Sequence, residues 1–129
     1  MNNTILALGL IVLISVPGFA HANKQNLSTE EKNQIERLLN FVKKSDCLFI
    51  RNGDKHTGKD AAKHIARKYK HFRDDIKTPE EFIELSATKS SMSGQPYWIK
   101  CDDNIEIVNK QLSSKDWLLA ELTRIRKVN

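Results

Sequence analysis

The sequence predicts an α+β fold, a helix-rich single domain with about four helices and a small two- or three-stranded antiparallel sheet. Three observations lead there. Four capping signals each precede apolar residues at helical spacing. Two short apolar segments, Cys47 to Ile50 and Tyr97 to Cys101, are too brief for helices. The two cysteines of the chain fall one in each of those segments, so a bond between them requires two strands lying close together.

Each element follows from local chemistry. Ser28 stands three residues before Glu31, a capping box that opens a first helix, in which Ile35, Leu38, Leu39 and Val42 form one apolar stripe ending near Ser45. Cys47-Leu48-Phe49-Ile50 reads as a buried strand closed by the turn dipeptide Asn52-Gly53. A second helix runs from about Gly58 to Asp75, with Ala62, Ile65, Tyr69, Phe72 and Ile76 facing the core and Lys59, Lys63, Arg67, Lys70 and Arg73 largely off that stripe. Thr78-Pro79-Glu80-Glu81 combines a cap, a proline at the first helical position and an acidic first turn, and starts a third helix carrying Phe82, Ile83 and Leu85. The polar stretch Lys89 to Pro96 is a loop. In the strand after it, Tyr97, Ile99 and Cys101 share one face and Trp98 and Lys100 the other. Asp102-Asp103-Asn104 reads as a turn leading to a short strand at Ile105 to Ile107. Ser113, with Asp116 three residues on and an apolar staple from Leu112 to Trp117, starts a last helix through Leu118, Leu122 and Ile125. Arg124, Arg126 and Lys127 near its end suit the helix dipole.

The first 22 residues carry no charged side chain. Ile5 to Val16 is an apolar run, Pro17 and Gly18 break it, and Ala20-His21-Ala22 offers small residues where a signal peptidase reads them. Cleavage after Ala22 is expected, giving an exported protein, periplasmic or extracellular, with residues 23 to 129 as a single domain. The run is shorter than the roughly 20 residues that span a bilayer, so no stable membrane span is expected after cleavage. Against export stands the n-region MNNT, which has no lysine or arginine. In an oxidising compartment the even pair Cys47 and Cys101 is expected to form a disulfide.

All 21 Lys and Arg and all 16 Asp and Glu follow Ala22, so the net charge of +5 stays with the mature chain. That balance suits an anionic partner, such as an envelope protein, a glycan or another anionic ligand. No nucleic acid is expected, since the basic face of the second helix has no interleaved aromatics. Nor is a nucleotide expected at GDKHTGKD, Gly53 to Asp60. That stretch spells most of a phosphate loop but places Asp60 where a Ser or Thr hydroxyl would bind magnesium, and Thr57 with Asp60 reads instead as a helix cap.

Metal and cofactor chemistry find no support either. His64 and His71 lie seven residues apart, about 10 Å along a helix axis at about 1.5 Å per residue, too far for one ion, and there is no HExxH. The mature chain is expected to be a monomer without cofactor or bound metal.

The run FIRNGDKHT, Phe49 to Thr57, followed by Ala62, His64, Ile76, Thr78, Phe82-Ile83, a serine-rich loop and Gly94-Gln95-Pro96-Tyr97, resembles the YfeK-like family of small exported bacterial proteins. That family is a domain of unknown function. The resemblance covers nearly the whole mature chain and implies export and a shared fold rather than a chemistry.

Two polar segments that the disulfide would bring together form the candidate site. The residues are Arg51, Asn52, Asp54 and His56 from the first, and Ser91, Ser93, Gly94 and Tyr97 from the second. A non-enzymatic binding or interaction module is the reading this supports. Two alternatives stand beside it. His56 with Asp54 and a loop serine would make a small cell-envelope hydrolase if the three lie within hydrogen-bond reach. Ser93-Gly94-Gln95-Pro96-Tyr97 resembles the inhibitory loop of periplasmic inhibitors of c-type lysozyme, although those are all-β barrels.

Overall fold

The computed structural model describes residues 26–101 and 112–128. The expected signal peptide, the Asp102-Asp103-Asn104 turn and the Ile105 to Ile107 strand lie outside the described residues. Helices α1 (Thr29–Lys44), α2 (Gly58–Phe72), α3 (Pro79–Ala87) and α4 (Ser114–Lys127) accompany strands β1 (Leu48–Arg51), β2 (Asp54–His56), β3 (Trp98–Lys100) and β4 (Leu112–Ser113).

All four helix starts are where the side chains put them. Ser28 and Glu31 exchange the two bonds of a capping box, while Thr57, Thr78 and Ser113 accept from the backbone N–H of Asp60, Glu81 and Asp116. α2 ends at Phe72 rather than Asp75. The amides of Asp75 and Ile76 both donate to the Phe72 carbonyl, a tight turn that drops Ile76 into the core.

The four strands form one antiparallel sheet in the order β2-β1-β3-β4, against the two or three expected. Asp54–His56, in the polar segment after the Asn52-Gly53 turn and not among the expected strands, is a strand paired with β1 through Arg51↔Asp54 and Phe49↔His56. Asn52 and Gly53 are the two-residue hairpin turn, with φ of 50° and 83°. Positive φ at both central positions is the geometry whose twist matches the flanking strands.

Helices α1, α2, α3 and α4 pack on one another, and α2 and α4 also lie on the sheet. The core between them is a single cluster that includes Ile35, Leu38, Val42, Phe49, Ile65, Phe82, Ile83, Ile99, Leu118 and Ile125. Trp117 locks α4 to both neighbours, its ring centroid 4.3 Å from Phe41 of α1 and 5.6 Å from Phe49 of β1. On the opposite side Arg126 reaches Gln34 of α1 and pairs with Glu80 of α3. A Cys47–Cys101 disulfide joins the chain just outside the paired ends of β1 and β3, with Cα atoms 4.2 Å apart.

Gly58 answers the question that its sequence context raises. A Cβ there would collide with the carbonyl oxygens of Val42 and Ser45, the latter at 2.6 Å. Glycine is therefore required for α2 to start against the end of α1. Together with the Thr57 cap, this accounts for TGKD without reference to phosphate.

Candidate functional site

The sheet register brings the candidate residues carried on strands to one face. Arg51 stands opposite Asp54, and Phe49 opposite His56. On the other side of β1, Phe49 faces Ile99, and the same register one step beyond the ladder sets Arg51 across from Tyr97. The Tyr97 carbonyl accepts from the Ser114 amide, continuing the row onto α4. Because alternate residues of a strand share a face and directly opposed residues lie on the same one, Arg51, Asp54, His56, Tyr97 and Ser114 are all on the face toward the helices, with Asp54 at its exposed edge.

Between that face and α2 lies a pocket of about 260 Å³. Phe49, Ile50, Ala61 and Ile65 supply its apolar walls, and Arg51, His56, Asp60, Lys63, His64, Arg67, Tyr97 and Ser114 its polar groups. Small-molecule sites combine apolar walls with polar groups that fix orientation, and this pocket is rich in the latter. Two of those groups find no partner among the described residues: His56 Nε2 and the hydroxyl of Ser114 are buried atoms without a hydrogen bond. Ser114 as a whole is 1% exposed. Buried polar atoms are nearly always bonded, so two on one pocket mark it out.

The remaining polar groups are held in place. His64 Nε2 lies 3.1 Å from the Tyr97 hydroxyl, and the two rings meet edge to face. The ammonium of Lys68 sits 5.3 Å from the Tyr97 ring centroid and donates to the Lys89 carbonyl at 2.6 Å. Burial, reinforced by the positive charges of Arg51, Lys68 and Arg67, pushes His64 down to about 4, so it is neutral at physiological pH. Burial also lowers Lys68, helped by Arg51 and Lys89. Burial raises Tyr97 while Arg51 opposes the rise. Arg51, half-buried among these groups, makes no hydrogen bond or ion pair with any described residue.

The other predicted residues form an outer rim. Ser93 donates to the Asn52 side chain at 2.6 Å, so the two polar segments do meet. Gly94, at φ 71°, and the bonds Ser90 N–H to Gln95 O and Gly94 N–H to Ser90 O close the serine loop on itself. Asn52, Asp54, Ser91, Ser93 and Gly94 are exposed. No hydrogen bond connects His56 to Asp54 or to either loop serine, and the Ser93 hydroxyl is engaged elsewhere. Tyr97, the last residue of the SGQPY segment, is 7% exposed and directed at His64 rather than outward.

His64 and Ser114 are pocket residues that sequence reasoning did not assign to the site, and Lys68 lies behind the pocket against the Tyr97 ring. His64 does lie on the helical face of Ala61 and Ile65, which is the signal that could have found it. Among the described residues no group of three or more His, Cys, Asp or Glu could hold a metal ion, and no helix is long and apolar enough to cross a membrane.

Residues 29–126 match the family of unknown function DUF5329. The chain belongs to that family. Among relatives of this DUF5329 member, the uncharacterized protein YfeK of Salmonella typhimurium is 36% identical over 87 residues, covering 67% of this chain and 68% of that protein. No solved structure matches the chain. The DUF5329 match spans every residue of the pocket and both loops of its rim.

Proposed function

We propose that this protein is an exported, monomeric, non-enzymatic binding module, and that its site is the pocket between α2 and the β1–β2 hairpin, where it takes a small anionic ligand. One observation carries the reading. The pocket holds a half-buried guanidinium that makes no ion pair with any described residue, beside two buried polar atoms with no hydrogen-bond partner among the described residues. An anion satisfies the first, and its hydrogen-bonding atoms can satisfy the others. The fixed, neutral His64–Tyr97 pair supplies shape and polarity without adding charge. Export is supported by the apolar run Ile5 to Val16, the Ala20-His21-Ala22 segment and a disulfide suited to an oxidising compartment.

The test is retention of small molecules. The mature chain, Arg51→Ala and His56→Ala are each passed through periplasmic extract, washed and analysed by native mass spectrometry. An anionic species held by the wild type and lost from both variants is the expected result. Equal retention by all three would remove the pocket from consideration. Mass analysis of the exported protein should give an N-terminus at Asn23.

A further inference from the structure

We infer that the ligand is a small monocarboxylic acid with an apolar body, its carboxylate on Arg51 and its hydrocarbon part against Phe49, Ala61 and Ile65. This rests on the pocket reading above and names the chemical class.

Size sets the first limit. A volume of about 260 Å³ lies just below the usual range of ligand pockets, which favours a small molecule over an oligosaccharide or a peptide of several residues. The walls set the second. More of the exposed wall is carbon than nitrogen or oxygen, since Phe49, Ile50, Ala61 and Ile65 are joined by the ring and stem carbons of the polar residues, which favours a ligand with a hydrocarbon part.

Charge sets the third limit. The cations that line the pocket are Arg51, Lys63 and Arg67; Lys63 and Arg67 are exposed to solvent, which leaves Arg51 as the half-buried one. Asp60 lines the same pocket and repels a second negative charge. His64 is uncharged and bonded to Tyr97, so it offers a polar contact but no compensation for a dianion. One planar guanidinium facing one planar carboxylate is a bidentate match. A phosphate monoester, with charge near −2 and three acceptor oxygens, lacks the second buried cation it needs.

His56 and Ser114 add direction. His56 lies diagonally across the hairpin from Arg51, a separation of about 7–8 Å between such strand neighbours, and its Nε2 is buried without a partner. A ligand polar only at its carboxylate reaches one of these groups; a second hydroxyl or carbonyl reaches the other. Hydroxy- or oxo-substituted acids should therefore bind more tightly than the plain acid.

The mature protein is titrated calorimetrically with benzoate, 4-hydroxybenzoate, acetate, benzyl alcohol, benzylamine and phenyl phosphate. Benzoate is expected to bind and 4-hydroxybenzoate to bind more tightly, with benzyl alcohol and benzylamine at least about tenfold weaker for want of a charge-assisted hydrogen bond and acetate at least about tenfold weaker for want of the apolar body. Arg51→Gln should weaken benzoate by about ten- to a hundredfold. Ala61→Leu, a good helix former that fills the pocket, should abolish binding while the circular dichroism spectrum and Tm stay near wild type. Phenyl phosphate binding in preference to benzoate, with the same dependence on Arg51, would overturn the carboxylate assignment and leave the anion pocket standing. No binding of any anion, with no shift of His64 or Tyr97 resonances in the folded protein, would overturn both.

Discussion

His64 shows how one side chain reports on its surroundings. Its imidazole is held near pKa 4 by burial first and by the neighbouring cations Arg51, Lys68 and Arg67 second, with His56 adding a smaller share. An NMR titration should place the midpoint well below the ordinary 6.5, and Arg51→Gln should raise it. The sign of the stability effect follows. Between pH 6.5 and about 4 the unfolded chain binds a proton that the native His64 does not. The folded state therefore loses stability as pH falls through that window, and the loss is complete near the native value. Denaturant unfolding at pH 7, 5.5 and 4 should show this decline, and His64→Gln should flatten the part of it that His64 causes. An unchanged slope in that variant would assign the decline to other groups. Occupation of Arg51 by an anion should move His64 upward, which gives a probe of binding independent of heat.

Capping and turn chemistry decided most of the elements, which is why their starts were legible. A Ser or Thr three residues before an acidic or polar amide donor leaves one geometry that satisfies the first turn, and the four cases in this chain all adopt it. β2 was illegible for an equally physical reason. Asp54, Lys55 and His56 show no apolar alternation, because two of the three are exposed on a sheet edge. Only the Asn52-Gly53 pair announced the hairpin, through the positive φ it tolerates. β4 is two residues long, too short for any periodicity. For the same reason half of the site was visible. Arg51, His56 and Tyr97 were found from the polar segments that carry them, whereas Ser114 enters only through packing of α4 on the sheet. Gly58 belongs at this scale too, since it is set by the contact of two helices. Gly58→Ala should cost about 1–3 kcal/mol, as overpacking does, because the atoms its Cβ meets are backbone carbonyls that cannot rotate away. Chemical denaturation measures it. A loss below about 0.5 kcal/mol, the usual limit for a neutral site, would show that α1 and α2 can shift apart.

For the molecule as a whole, the disulfide is the largest single constraint. It spans 54 residues of sequence, and in the chain-entropy account a loop of that length contributes about 4 kcal/mol by restricting the unfolded chain. Replacing Cys47 and Cys101 together by serine should lower the denaturation midpoint by a corresponding amount, read by urea titration with and without reductant. Reductant should have no further effect on the double variant. A variant as stable as the parent would mean that the folded core, with Trp117 wedged between α1, α4 and the sheet, holds unaided.

The bond between Cys47 and Cys101 also turns part of the chain into a macrocycle. Arg51, His56, His64 and Tyr97 are carried on that ring, and Ser114 is outside it on the chain that leaves the ring after Cys101. A protease that cuts once between residues 48 and 100 therefore opens the ring without releasing a fragment. The nicked protein should run as a single species on a non-reducing gel and as two on a reducing one. A cut after residue 101 frees α4, and with it Ser114, under either condition. In a compartment that contains proteases, the half of the pocket bearing the guanidinium and both histidines is thereby tolerant of one clip, and the half supplied by α4 is not.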